Sequence, residues 1–322
     1  MKALITGGTG FVGSHLVETL RDRGWDICVL AKDRMFCSDL GVPVTIADLS
    51  DTEALAPLLR DVDYVFHVAG LTRARKSVDY YIVNHLGTRD LLRACAENCR
   101  ALKRFVYVSS LTAVGPRIGD LEVTEQSSYH PVSHYGRSKM MAEMEVMEFA
   151  DRIPVTIVRP SAVYGPRDRD LFRYFKMIRT GIEPLLGSGA HQLNLIHVQD
   201  LVDGMIRAAE HPDGEGEAFF IGGENYSTAG LCQHIAHAMH KKPLVFHLPE
   251  FLIYVIGALG EATGRLLRIP VFFNVQKVRE AVQEAWTCSI DKARDRIGFT
   301  PQVRISEGMS MTYDWYRQND WL

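Results

Sequence analysis

The chain has 322 residues, 47% hydrophobic and 23% charged, with a formal net charge of −3. That is enough chain for one large domain or two, and the composition is that of a soluble globular protein. Lys and Arg are scattered and the balance is slightly negative, which gives a nucleic-acid partner no electrostatic support.

In chain order, Lys2–Thr6 reads as a short apolar strand ending in a glycine turn, and Val12–Arg21 has helical periodicity. Strands follow at Asp26–Ala31 and Val42–Ala47, then a helix at Asp51–Leu59 opened by a capping aspartate. Val62–Ala69 is a fourth strand, Asp79–Glu97 a long helix, Lys103–Ser109 a fifth strand and Ile153–Val158 a sixth. Nearly continuous apolar strands alternating with helices argue an α/β fold, a doubly wound parallel Rossmann sheet covered on both faces. After Pro160 turn residues cluster at Tyr164–Arg167 and Leu186–Gly189, so a smaller C-terminal substrate-binding domain is expected. The boundaries are 1–165 and 166–322, with 193–211, including the helix Asp200–Glu210, returning to the first domain.

Cysteine usage and the N-terminus bear on compartment. Cys28, Cys37, Cys95, Cys99, Cys232 and Cys288 contain no CxxC pair, and the i,i+4 spacing of Cys95 and Cys99 suits thiols packed on one helix face. MKALITGG enters a strand at once, so a reduced cytoplasmic protein is expected. The apolar run Phe251–Leu259 is too short to span a bilayer, which takes about 20 residues. It reads as a helix of a substrate-binding region, with peripheral membrane contact through 251–268 as the alternative. His234, His237 and His240 step by three; each step turns a helix by about −60°, so they fan out and no metal site is expected. Met140, Met144 and Met147 make a stripe that fits core packing or a homodimer seam.

Two constellations carry chemistry. The first strand runs into Thr6-Gly-Gly-Thr-Gly-Phe-Val-Gly13 and then a helix, an arrangement that lets a pyrophosphate approach the backbone at a helix N-terminus. Farther on, His134-Tyr-Gly-Arg-Ser-Lys139 puts a phenol and an ammonium four residues apart, neighbours on one helical face. A cation beside a phenol lowers its pKa and makes a proton-transfer group of it. The bland alternative is a surface helix that begins with Tyr and Lys.

Taken together, TGGTGFVG and YGRSK resemble the extended short-chain dehydrogenase/reductase family, also called the NAD-dependent epimerase/dehydratase family. The resemblance also covers Asp48-Leu49, His67–Gly70, Val83–Thr88, Val108–Ser110, Arg159–Pro166 and Ile196–Leu201. It implies a catalytic Ser110, with Ser109 and Thr112 as neighbours able to hold that role, together with Tyr135 and Lys139. Ser110 would hydrogen-bond the substrate oxygen and Tyr135 would exchange a proton with it as hydride moves. Lys139 would lower the Tyr135 pKa and hold the nicotinamide ribose. Cofactor contacts are implied at Gly7, Gly10, Phe11, Val12 and Gly13, at Asp48 and Leu49, and at Val68, Ala69 and Gly70. Further contacts are implied at Asn84, Tyr135, Lys139, Pro160 and Val163, with Thr112 and Tyr164 toward substrate. Dimerisation through the helices holding Tyr135 and Asn84–Glu97 is also implied.

Ala31 stands where NAD-preferring members carry an acid, and Lys32 and Arg34 suit a 2′-phosphate, so NADP is expected ahead of NAD. Asp33 could serve the ribose if the turn were shifted. Leu193 stands where nucleotide-sugar enzymes of the family carry arginine, which argues against such a substrate. Phe251–Leu259 and Ile290–Arg294 look more like the branch resembling dihydroflavonol reductase and 3β-hydroxysteroid dehydrogenase. The expected activity is a reductase or dehydrogenase acting on a bulky alcohol or ketone. The alternatives are a nucleotide-sugar epimerase or dehydratase with tightly bound cofactor, and a non-catalytic cofactor-binding scaffold.

Overall fold

The computed structural model describes residues 1–33, 40–267 and 275–322, the side chains of 265–267 excepted. Its first half is built as the alternation predicts: β1 (Lys2–Thr6), α1 (Phe11–Asp22), β2 (Asp26–Ala31), β3 (Val44–Ile46), α2 (Thr52–Leu59) and β4 (Tyr64–His67). Asp51 does cap α2, its carboxylate accepting from the Ala54 amide at 3.1 Å.

The long helix expected over Asp79–Glu97 is interrupted. It runs as α3 (Ser77–Tyr80), a π-helical stretch over Tyr81–Leu86, and α4 (Gly87–Asn98). Hydrophobic periodicity does not reveal one extra residue in a turn, and such insertions recur at functional sites. β5 (Arg104–Val108) follows, then the single turn α5 (Leu111–Val114), α6 (His134–Glu148), β6 (Val155–Pro160) and β7 (Ala162–Tyr164).

Beyond these come α7 (Phe172–Arg179), β8 (Ile182–Leu186), β9 (Gln192–His197), α8 (Val198–Glu210), β10 (Glu217–Ile221), β11 (Glu224–Ser227) and α9 (Thr228–Ala238). The chain continues through β12 (Leu244–Leu248), α10 (Glu250–Leu267), α11 (Val275–Ala281), β13 (Ala285–Trp286), α12 (Asp291–Ile297) and α13 (Ile305–Gln318).

Seven parallel strands form the main sheet in the order β10-β6-β5-β4-β1-β2-β3. It is doubly wound. Leu16, Val17 and Leu20 of α1 and Leu201, Val202 and Met205 of α8 pack on one face. Leu55 and Leu59 of α2, Leu91 and Leu92 of α4, and Ala142 and Val146 of α6 pack on the other. The sheet takes in β10, which lies beyond the 193–211 segment expected to return, while β9 pairs with β7, β11 and β13 in a separate sheet. A further core gathers Phe175 and Ile178 of α7, Leu231 and Ile235 of α9, and Met309 and Tyr316 of α13. β12 and β8 pair in parallel as a two-stranded ribbon.

The methionine stripe is not core. Met144 and Met147 are exposed on α6 (47% and 45%), whereas Ala142, Glu143 and Val146 face inward. The described cysteines form no disulfide, and Cys99 donates its thiol proton to the Val62 carbonyl at 3.1 Å.

Candidate active site

The glycine turn lies at the C-terminal end of β1, where open parallel sheets bind ligands. Gly7 adopts φ +72°, and a Cβ there would meet the Ala69 backbone at 2.6 Å. A Cβ on Gly13 would stand 2.1 Å from the Gly7 carbonyl oxygen, so the first turn of α1 can fold onto the loop only with glycine. No side chain caps α1 and its first turn holds no acid, which leaves free backbone N–H groups and a positive dipole end. This cradle fits a dinucleotide pyrophosphate.

At the ends of β5 and β6 the proton-transfer residues meet. Ser133 caps α6, its hydroxyl accepting from the Gly136 amide at 3.1 Å. A side chain on Gly136 would run into the Thr112 carbonyl, 2.3 Å from its Cβ, so this glycine lets α6 approach α5 closely. The approach brings Tyr135 beside Ser110, whose hydroxyl shifts the phenol and accepts from Thr112 Oγ1 at 2.8 Å. Lys139, one turn on, is 4% exposed; its Nζ donates to the Val108 carbonyl at 2.7 Å and faces the Tyr107 ring at 4.7 Å. A Cβ on Gly70 would stand 3.3 Å from Lys139 Nζ and 3.2 Å from Asn84 Oδ1, so the loop after β4 rests on both.

A family model described as the NAD dependent epimerase/dehydratase family matches residues 3–222. The chain belongs to this family. Among relatives of the family, the chain is 33% identical to "Ceramide reductase" of Caulobacter vibrioides over 99% of this chain and 95% of that one. It is 26% identical to the mouse "Sterol-4-alpha-carboxylate 3-dehydrogenase, decarboxylating" over 97% and 90%. The UDP-glucose 4-epimerase structure from Thermotoga maritima superposes with a TM-score of 0.82 over 99% of both chains at 23% identity, a likeness of fold. The chain is thus an enzyme of the extended short-chain dehydrogenase/reductase type.

Against what the family resemblance implied, electrostatics around the pair run differently. Burial raises the Tyr135 phenol well above its ordinary value; the Ser110 hydrogen bond opposes this, while Glu280 and Tyr80 add to it. Lys139 is not among the groups acting on that phenol. Burial instead drives the lysine down to about 7, with Glu143 pulling the other way. The phenol is thus raised by burial rather than lowered, and Lys139, itself lowered by burial, donates to the Val108 carbonyl.

Asn84, expected as a cofactor contact, together with Ser138 and Glu143, which the sequence reading passed over, holds the site together. Asn84, in the π-helical stretch, accepts from the Leu71 amide at 2.7 Å and donates to the Leu71 carbonyl and to Ser138 Oγ. Ser138 in turn donates to the Tyr135 carbonyl at 2.7 Å, so one buried amide braces both the cofactor-side loop and the helix carrying Tyr135. Glu143, wholly buried, accepts from Arg159 at 2.7–3.1 Å and from Tyr129 Oη at 2.6 Å. Its i+4 spacing from Lys139 was the available signal.

His67 sits behind the loop with no exposed surface. Thr88 donates its one hydroxyl proton to the Asn84 carbonyl, so it can only accept from His67 Nε2 at 2.8 Å. His67 Nδ1 then accepts from Thr6 Oγ1 at 2.7 Å, which fixes the neutral Nε2–H tautomer. Burial and the nearby Lys139 lower its pKa to about 3.

Several expected ligand residues fall elsewhere. Tyr164 does not reach the main cavity; it is buried in the second core, its ring edge-on to His197 at 5.3 Å, lining a cleft of about 60 Å³. An aromatic next to a turn carries no sequence mark of which way it points. Lys32 is exposed and paired with Asp48 at 3.2 Å, joining two expected cofactor contacts at the ends of β2 and β3. Arg34 lies outside the described residues. Leu49, Val68, Ala69 and Pro160 stand at or just beyond the ends of parallel strands, and Val163 is the middle residue of β7. His234 packs its ring against Tyr226 at 5.5 Å.

Proposed function

We propose that this enzyme reduces a bulky, largely apolar ketone, or oxidises the corresponding alcohol, with NADP(H) ahead of NAD(H). The observation that carries the reading is a cavity of about 1300 Å³ that begins at Ser110 and Thr112 and is walled by Leu185, Leu186, Leu193, Leu248, Ile253, Ile256, Trp286 and Trp321. It exceeds the roughly 300–1,000 Å³ of ordinary small-molecule sites. Leu193 contributes to that wall at the position where an arginine would favour a nucleotide sugar. Of the cations on this wall, Arg73 pairs with Asp170, Lys277 with Glu280 at 2.7 Å, Arg169 faces Trp321 and Lys176 faces Phe172, and Arg173 lines it as well. The reductase and dehydrogenase names of the relatives, ceramide and sterol among them, support a long-chain or polycyclic substrate.

In this proposal the nicotinamide, when bound on the glycine turn, supplies or accepts the hydride. Ser110 holds the substrate oxygen by hydrogen bond, and Tyr135 Oη gives that oxygen a proton in reduction or takes one in oxidation. Burial keeps the phenol protonated, as a donor in reduction must be, though the raised pKa makes it the weaker acid. Lys139, whose Nζ lies beside the loop after β4, would hold the nicotinamide ribose. For NADP, Ala31 offers no carboxylate to a ribose hydroxyl, and Lys32 offers a cation.

The test is NADPH oxidation with a panel of ceramide-type ketones, steroid ketones and UDP-sugars. Tyr135→Phe should lower turnover of any accepted ketone by about 10²–10⁴-fold. Unchanged turnover removes the acid–base assignment. Epimerisation of a UDP-sugar by protein whose nicotinamide survives dialysis would establish the redox-neutral alternative instead.

A further inference from the structure

The helix beside the cavity is built inside out. In α10 the inward positions are Ile253, Gly257 and Gly264, while Phe251, Val255 and Leu259, at i, i+4 and i+8, are 69%, 48% and 62% exposed. A surface helix of a soluble protein turns its polar face outward. The preceding strand adds Leu244, Val245 and Phe246 at 79%, 52% and 58% exposure, and Ile182, paired with Leu244 in the β8–β12 ribbon, is 51% exposed. Two consecutive elements and a paired strand therefore present one apolar surface.

Cations flank it. Lys241 and Lys242 directly precede β12, and Lys176 and Arg179 end α7 just before β8. All four are exposed, and among the described residues none has a carboxylate partner. The carboxylates on these elements are Glu250 and Glu261 of α10 and the buried Glu183 of β8. The balance over this face is positive. The same elements also wall the cavity: Leu248 ends β12, and Ile253 and Ile256 of α10 lie within two residues of the exposed Phe251 and Val255. No described helix is long and apolar enough to cross a membrane, so the surface can lie on a bilayer but α10 cannot span it.

We propose that the face formed by β12 and α10 docks on an anionic phospholipid bilayer, with the cavity opening toward it so that a membrane-resident substrate enters without crossing water. The entry route rests on the apolar-ketone reading; the docking itself does not. Apolar side chains would sink to the headgroup boundary while the lysines meet lipid phosphate.

The full-length protein is sedimented with vesicles of phosphatidylcholine alone or mixed equally with phosphatidylglycerol, in the absence of cofactor and substrate. Binding is expected to the mixed vesicles and to weaken with salt. Lys241→Gln with Lys242→Gln should reduce it by roughly thirtyfold, and Phe246→Ser with Phe251→Ser and Leu259→Ser should abolish it. Turnover of a short, water-soluble ketone should be unchanged in both variants. No binding to anionic vesicles, or equal binding by the variants, overturns the proposal. So does concentration-dependent dimerisation that the serine variant removes, which would make this face a contact between copies. Vesicle binding without any ketone turnover would overturn the proposed reaction and leave the docking standing.

Discussion

Replacing His67 by glutamine should flatten the acid limb of this protein's stability. The imidazole is wholly buried between Thr6 and Thr88 and titrates near 3 when folded, against 6.5 as the ordinary value. As pH falls the unfolded chain therefore takes up this proton first. The stability attached to the neutral ring is complete above pH 6.5 and is lost as pH falls toward the folded value. Each proton of difference is worth about 1.4 kcal/mol per pH unit, so the wild type should lose about 3 kcal/mol through His67 between about pH 6.5 and about pH 4. Glutamine offers one donor and one acceptor to the same threonines and does not titrate. His197, also lowered, to about 4, is present in both proteins, and so are the carboxylates. The difference of the two curves thus isolates His67. Urea unfolding followed by tryptophan fluorescence at several pH values gives both. Parallel curves for the two proteins would refute the buried neutral tautomer, whatever the offset between them.

Other expectations are more local. Gly13→Ala places a methyl against the Gly7 carbonyl, so cofactor affinity measured by calorimetry should fall at least about tenfold; unaltered affinity would remove the glycine turn from the cofactor site. Arg159→Met strands the buried carboxylate of Glu143, and unfolding free energy should drop by about 3–5 kcal/mol. Adding Glu143→Leu to that variant should recover most of the loss, and a single mutant as stable as wild type would show the pair to be idle. Lys32→Ala should raise KM for NADPH by a few-fold to about tenfold and leave KM for NADH nearly unchanged. Equal effects on both would take Lys32 away from the 2′-phosphate.

What could be read from the chain was what local chemistry demands. A glycine-rich turn between an apolar strand and a helix, and a Tyr–Lys pair on a capped helix, state their geometry in the residues themselves. Gly136 is in the quoted motif, but its use in letting α6 meet the Thr112 carbonyl depends on a packing partner distant in sequence. The same holds for Asn84 with Leu71 and Ser138, and for His67 with Thr6 and Thr88. Periodicity does suggest a stripe at Met140, Met144 and Met147. It cannot say which stripe of α6 faces the sheet, and the buried one proved to contain Glu143. The direction of Tyr164 was decided by the second core, whose members lie in α7, α9 and α13.

The π-helical stretch over Tyr81–Leu86 carries a consequence for how this segment tolerates change in length. Loss of a single residue there would restore ordinary winding and leave the flanking turns nearly in phase, because the wider i→i+5 turn had taken up that one extra residue. Tyr80, whose ring lies 6.1 Å from that of Tyr135, and Gly87–Asn98 would stay seated, while Asn84 would lose its place against Leu71 and Ser138. Substitutions along this stretch can be graded by side chain, but a one-residue deletion would remove the Asn84 brace itself, disabling the site while leaving the sheet and the helices on its two faces assembled.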